Sequence, residues 1–245
     1  MTDLQQNIEQ QGFAVLPGIL DSERVARLVS ELEAARLQMN GSVLQSRGQV
    51  YGIRNLVDVW PAALPVVRTP SLVAAIGSVL PRGYGLVRSI FFDKPPGRTW
   101  SLLWHRDLTI AVRDARSVPG EFRRPTVKAG VPHVEAPTWL LRGMLTARVA
   151  LDDVVDENGP LLVIPGSRRD ASAEDLPSEQ DLAARLRAIL MRAGDVLLIR
   201  PLVVHRSSAS RAGTRRHRRT LHFEFAPEQA LQGGVAWHRF MDVTR

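Results

Sequence analysis

The sequence predicts a mainly β protein in which helices at the N-terminal end pack outside a β-sandwich or barrel. Two observations predict it. Up to about residue 82 the apolar residues recur at helical spacing, and beyond it the chain breaks into short β-branched and aromatic runs separated by Gly, Pro, Asp and Asn. Helices first and six or more strands afterwards fit helices laid on the outside of one β core.

"GFAVLPGIL" (12–20) reads as a short strand and a turn. Asp21 or Ser22 then caps a helix through "SERVARLVSELEAARL" (22–37), and a second helix covers "SLVAAIGSVL" (71–80) until Pro81 and Gly83 stop it. The strand runs follow: "YGLVRSIFFD", "SLLWHRDLTIAV", "GMLTARVALDD", "GPLLVIPG", "GDVLLIRPLVVH" and "RRTLHFEFA". "DENGPL" between two of them is a hairpin signal. The longest connection, about 113–142, is rich in Pro, Arg and charge and reads as a lid loop over the barrel mouth. The whole chain, 1–245, is expected to form one domain, with a helical part over about 1–82 and a barrel core over about 83–228.

Composition narrows the function. With 44% hydrophobic and 23% charged residues the chain is an ordinary globular one, and no apolar run approaches the roughly 20 residues that span a bilayer. The polar, acidic start lacks the pattern of a signal peptide, so a cytoplasmic location and no membrane partner are expected. Zero cysteines exclude disulfides, thiolate metal sites and a cysteine nucleophile, so any metal must use His and carboxylate. The net charge of +7 and the basic run "RAGTRRHRRT" (211–220) raise a nucleic-acid partner, but the arginines are scattered and aromatics are only 6%. A small-molecule substrate fits better, and nothing in the sequence sets an oligomeric state.

If 100–112 is a strand, His105 and Asp107 point to one face and Arg106 to the other. His205 ends the run "DVLLIRPLVVH", where loops meet water and sites are built. The strand beginning near Arg218 should lie beside it. Arg218, Thr220, His222 and Glu224 share one face of that strand, which is either the wall of a wet pocket or the solvent face of an edge strand. Two His and one carboxylate are the donors of non-haem Fe(II) oxygenases, with open positions left for a bidentate cosubstrate and O2. A nearby Arg can hold the far carboxylate of that cosubstrate through a charge-assisted fork.

The segments "QQGFAVLPGIL", "FDKPPGRTWSLLWHRD", "ALDDVVDENGPLLVIPGS", "GDVLLIRPLVVHRSS" and "RRTLHFEFAP", in this order and spacing, resemble the phytanoyl-CoA dioxygenase family of Fe(II)- and 2-oxoglutarate-dependent oxygenases. The resemblance runs through nearly the whole chain. It implies a double-stranded β-helix, a cupin-like jelly roll, with His105, Asp107 and His205 as iron ligands. Fe(II), 2-oxoglutarate and O2 are the implied cofactor and cosubstrates. Arg218 matches the position that binds the far carboxylate of 2-oxoglutarate, with Arg216 and Arg219 as alternatives, and Ser207 and Thr220 match supporting contacts. Arg148 stands where some members place an aromatic, so it could hold the cosubstrate, grip an anionic substrate or face outward. Arg168 replaces a His that many members carry, which marks it as no ligand.

Halogenating relatives have a small residue in place of Asp107, so its presence implies hydroxylation or another oxidation. The implied reaction is hydroxylation of an unactivated C–H bond with release of succinate and CO2. Arg54, His133 and Trp139 are the candidate substrate contacts. The rival readings are a cupin-like metal-binding or isomerising protein without 2-oxoglutarate chemistry and, further off, a basic nucleic-acid-binding module.

Overall fold

The computed structural model describes residues 2–36, 43–46, 49–96, 100–116, 118–169, 176 and 178–244. In chain order the helices are α1 (Asp3–Gln10), α2 (Ser22–Arg36), α3 (Leu56–Val59), α4 (Leu64–Val67), α5 (Pro70–Val79), α6 (Thr138–Gly143) and α7 (Glu179–Arg185). The strands are β1 (Phe13–Leu16), β2 (Val43–Ser46), β3 (Gln49–Arg54), β4 (Gly85–Phe92), β5 (Leu102–His105), β6 (Thr109–Ala111), β7 (Arg123–Lys128) and β8 (Val131–Glu135). They continue with β9 (Leu145–Ala150), β10 (Leu161–Val163), β11 (Arg187–Ile189), β12 (Val196–Ile199), β13 (His205–Ser207), β14 (Thr220–Ala226) and β15 (Met241–Asp242).

The helices form for local reasons. Thr2 and Gln5 make a reciprocal capping box at the start of α1. At α2 the Asp21 carboxylate accepts the Arg24 N–H at 2.7 Å, so Asp21 is the cap. Its Val25, Leu28 and Leu32 are spaced to form one buried stripe. The expected helix ends at Arg36, its residue 37 lying outside the described residues. Pro70 occupies the first turn of α5, where a missing N–H costs nothing.

The strands form a jelly roll. The large antiparallel sheet runs β1-β12-β9-β14-β4-β3-β2, with β15 added to β4, and a smaller sheet runs β11-β10-β13-β5. A third sheet, β6-β8-β7, lies beyond β5 in the chain. Outward residues of the large sheet, such as Phe91, Val149, Leu198 and Phe223, pack with Leu28 and Leu32 of α2 and Leu72 and Ile76 of α5. Phe13, Leu197 and Ile199 meet Leu161, Val163 and Ile189 of the smaller sheet in the space between the two. No single helix among the described residues is long and apolar enough to cross a membrane.

Four expectations change. The run 100–112 is two strands broken at 106–108, and they belong to different sheets. The run ending at His205 is likewise broken, so His205 opens β13 instead of closing β12. β13 and β14 are not neighbours, because the chain between them crosses from the small sheet to the large one. Finally, "DENGPL" is no hairpin: β9 and β10 lie in different sheets, joined through a 3-10 turn at Asp156–Asn158 with Gly159 at φ 72°.

That crossing is fixed by Asn158, which is fully buried. Its amide donates to the Asp153 and His217 carbonyls at 2.7 and 3.1 Å and accepts the Val155 N–H at 2.9 Å. Asn158→Ala would strand these three backbone groups, so urea unfolding is expected to show a loss of about 2–4 kcal/mol. The 113–142 segment also differs from a bare loop, since it holds the β7–β8 hairpin and α6.

Candidate active site

The two sheet switches that break the expected strands bring the metal-type donors together. His105 ends β5 and His205 opens β13, and the two residues are paired across the strands with ring centroids 4.3 Å apart. Asp107 sits in the break between β5 and β6, where its carboxylate lies 3.8 Å from His105 Nε2 and 3.6 Å from His205 Nε2. Arg106 points the other way, as alternation predicts, and donates to the Ser167 and Leu202 carbonyls. One ligand atom from each of His105, Asp107 and His205 falls within 4.8 Å of the others.

Main-chain hydrogen bonds set the imidazoles. His105 Nδ1–H donates to the Leu103 carbonyl at 2.7 Å and His205 Nδ1–H to the Val203 carbonyl at 2.8 Å. In each case this bond selects, for the neutral ring, the tautomer with Nε2 free and facing the carboxylate side, the one a divalent metal needs. Burial pushes His205 down to about 4, so it is neutral at physiological pH. Burial alone would raise the Asp107 carboxyl, but His205, His222, His105 and Arg148 around it hold it well below the usual carboxylate range.

β14 decides the open question about its polar face. It lies between β9 and β4 in the middle of the large sheet, and all seven residues are buried. Thr220, His222 and Glu224 are thus an interior wall and not the solvent face of an edge strand. A cavity beside this wall is lined by Arg148, Ser207, Arg218 and Thr220 together with Phe92, Trp100, Leu161 and Met191. Arg218 is 9% exposed, and its Nε has no hydrogen-bond partner. Burial and the neighbouring Arg148 push it down to about 9. Arg216 and Arg219 go elsewhere, pairing with Glu157 at 2.9 Å and with Asp152 at 2.6 Å. Arg168 is held by Glu9 of α1.

Lys94 is a component that sequence reasoning missed. It follows β4, exchanges backbone hydrogen bonds with Arg218, and is fully buried. Its ammonium donates to Ser207 Oγ at 3.1 Å and to the Ser208 carbonyl, and stands 4.7 Å from the centroid of the Trp100 ring. Burial, with Arg218 and Arg148, lowers it to about 6. His222 and Glu224 were legible only as members of a stripe. Glu224 accepts from Arg88 Nη2 at 2.7 Å and lies 3.2 Å from His222 Nε2, while the buried His222 Nδ1 has no partner.

The three candidate substrate contacts separate. Arg54 ends β3 on the face of the large sheet that carries His222 and Arg148. His133 is 2% exposed, with Nδ1 at 2.9 Å from the Val131 carbonyl. Trp139, on α6, is 40% exposed and donates to Glu121 at 3.3 Å, apart from these groups.

Burial, against Val131's carbonyl and with Arg88, Lys128 and Arg54 nearby, pushes His133 from 6.5 down to about 4. The unfolded chain takes up this proton below pH 6.5 and the folded protein only below about 4, so the stability it contributes is complete above 6.5 and is lost as pH falls between the two. His133→Asn keeps a donor for Val131 but cannot titrate. Urea unfolding at pH 7 and pH 4.5 is expected to show the variant losing roughly 2–3 kcal/mol less than the wild type. Equal losses would contradict it.

Known proteins can now be set beside this geometry. The family described as Phytanoyl-CoA dioxygenase (PhyH) matches residues 8–218 through its family model. Ectoine dioxygenases of Bordetella parapertussis and Bordetella bronchiseptica are each 26% identical over 175 residues, 68% of this chain and 49% of theirs. The chain thus spans about half the length of these curated relatives. EctD from S. alaskensis, solved with 2-oxoglutarate and 5-hydroxyectoine, superposes with a TM-score of 0.70 at 19% identity, over 92% of this chain and 76% of that one. SnoN, a non-heme alpha ketoglutarate dependent epimerase from nogalamycin biosynthesis, gives 0.68 at 17% identity, over 98% and 82%. At these identities the two solved structures establish a shared jelly-roll fold.

Proposed function

The chain belongs to the phytanoyl-CoA dioxygenase family, and from that premise we propose that it is an Fe(II)- and 2-oxoglutarate-dependent dioxygenase that hydroxylates an unactivated C–H bond of a small molecule. The observation that carries this reading is the convergence of His105, Asp107 and His205 beside a cavity holding a buried Arg218 whose Nε has no hydrogen-bond partner.

The residues fit both groups. His105, Asp107 and His205 would hold the iron, since two neutral imidazoles and one carboxylate suit Fe(II) and no thiolate is available. Arg218 would take the far carboxylate of 2-oxoglutarate, with Thr220 and Ser207 as hydroxyl contacts on the same cavity. Two buried guanidiniums, Arg148 and Arg218, line that space, and a dianion supplies the counter-charge they lack. Lys94 fixes Ser207 from behind. Phe92, Trp100, Leu161 and Met191 keep the cavity dry, which strengthens each charged contact.

When bound, Fe(II) with 2-oxoglutarate and O2 supplies the oxidation that converts C–H to C–OH, releasing succinate and CO2. The protein orients the donors and the cosubstrate and excludes water. A separate cleft lined by Trp104, His105, Leu108 and Glu135 reaches the donor set at His105. Asp107 supports hydroxylation, because a carboxylate occupies the position that halogenating relatives leave open. A cupin-like isomerase without 2-oxoglutarate would have no use for the buried Arg218 beside Ser207 and Thr220. The test is O2-dependent conversion of 2-oxoglutarate to succinate by iron-loaded protein during a screen of small molecules. A substrate is expected to couple succinate to hydroxylated product one to one, and isomerised product without succinate would favour the rival.

A further inference from the structure

A second group of cations lies on the interior wall, on the other side of His222 from the cosubstrate cavity. Strand register shows where. Arg54, Ile90, His222 and Arg148 form one rung across β3, β4, β14 and β9, so their side chains share a face. One step toward the cavity along β14 is Thr220, and one step away is Glu224, which is paired with Arg88. Successive same-face residues are about 7 Å apart, so Thr220 and Glu224 stand on opposite sides of His222.

Arg88, Arg54 and Lys128 gather at the Glu224 end. Arg88 reaches Glu224 at 2.7 Å and the Thr109 carbonyl at 3.0 Å. Lys128 Nζ donates to Thr109 Oγ1 at 3.3 Å, and Thr109 is only two residues from Asp107. The guanidinium of Arg54, a residue placed by the β3–β4 pairing, makes no hydrogen bond or ion pair among the described residues. Glu224, already engaged by Arg88 and His222, and Asp107 offset only part of the charge of Arg54, Arg88 and Lys128, so the cluster stays net positive. Arg54 and Lys128 are both half-buried and mutually repelling: burial and Arg88 lower Arg54, and burial, Arg88 and Arg54 lower Lys128.

The backbone is bent to make this cluster. Asn55 and Ala129 have φ of 53° and 49°, left-handed values that Asn tolerates and that disfavour Ala129. They touch each other: Asn55 Nδ2 donates to the Ala129 carbonyl at 3.4 Å. That bond ties the tip of the β7–β8 hairpin to the end of β3 and so sets Lys128 beside Arg54. A strained turn that concentrates like charges in a half-buried place is unfavourable for the protein alone, and an anion between the two side chains removes the repulsion.

We infer that Arg54 and Lys128 anchor an oxyanion of the substrate, a carboxylate or phosphate, so that the molecule bridges from this cluster toward the His105, Asp107 and His205 donors. The inference deepens the oxygenase reading and rests on it. It names the substrate class as acidic small molecules, with the charged group held roughly one strand-step beyond His222 and the reacting carbon on the Asp107 side.

Inorganic sulfate is the probe, because it mimics the oxyanion. Full-length protein loaded with Fe(II) and saturated with 2-oxoglutarate is titrated under argon by calorimetry at constant ionic strength. One saturable sulfate site is expected, weakened at least tenfold in R54Q/K128Q and restored to within threefold in R54K/K128R. Circular dichroism and 2-oxoglutarate affinity on the same samples report folding, and single K128Q, on the hairpin, is the milder variant, expected to weaken sulfate severalfold. Absence of a saturable site, or the same affinity in R54Q/K128Q, overturns the inference while leaving the 2-oxoglutarate result standing. Sulfate binding that behaves as expected in a protein that takes no 2-oxoglutarate upholds the anion site and defeats the oxygenase reading instead.

Discussion

His205→Ala is expected to abolish stabilisation of the protein by Fe(II). His205 is 2% exposed, its tautomer is fixed by the Val203 carbonyl, and its Nε2 faces Asp107 at 3.6 Å. A metal that binds only the folded state adds about 2.7 kcal/mol at a free concentration 100 times its Kd. For a chain of 245 residues that is a rise in Tm of about 5–10 °C. Anaerobic thermal melts with and without Fe(II) are expected to show this rise in the wild type and none in His205→Ala. Comparison within each protein removes the cost of the cavity the substitution leaves. An equal rise in both would mean that the metal sits elsewhere.

Arg218→Gln is expected to weaken 2-oxoglutarate binding by about 100- to 1,000-fold while leaving Fe(II) binding intact. Hydrogen bonds to charged partners contribute about 1.5–3 kcal/mol each, and a guanidinium fork makes two. Two such bonds total about 3–6 kcal/mol, and the lower part of that span, about 3–4 kcal/mol with the Gln amide keeping some hydrogen bonding, corresponds to that range of affinity. Arg218→Lys keeps the charge but loses the fork, so it is expected to fall between. Arg148 lines the same cavity, remains in the variant and holds part of the dianion's attraction, which is why binding weakens instead of vanishing. Calorimetric titration of iron-loaded protein under argon checks both affinities. An unchanged 2-oxoglutarate affinity would reassign the pocket.

The donors were legible because they are local. His105 and Asp107 are two residues apart, and their shared direction survives although the strand breaks between them. His205 was legible as the end of an apolar run, yet it opens β13, because Arg200 and Pro201 turn the chain into the other sheet. What the sequence hid is which strands pair. Lys94 becomes part of the pocket only because the chain after β4 runs beside Arg218, and the wall that buries His222 and Glu224 exists only because β14 is central in its sheet. Alternation told which residues share a face, but not whether that face meets water. The same limit hid Arg88 and Lys128, which come from β4 and β7 and meet at Thr109.

The most direct test of the account is anaerobic titration of Fe(II)-loaded protein with 2-oxoglutarate, watching for the weak visible charge-transfer absorption that a chelated 2-oxo acid gives on Fe(II). The account predicts a saturable band in the wild type, none in His105→Ala, and a band that needs far more 2-oxoglutarate in Arg218→Gln. Folded, iron-loaded wild-type protein that gives no band would contradict it, leaving a jelly roll that carries the donors without the cosubstrate.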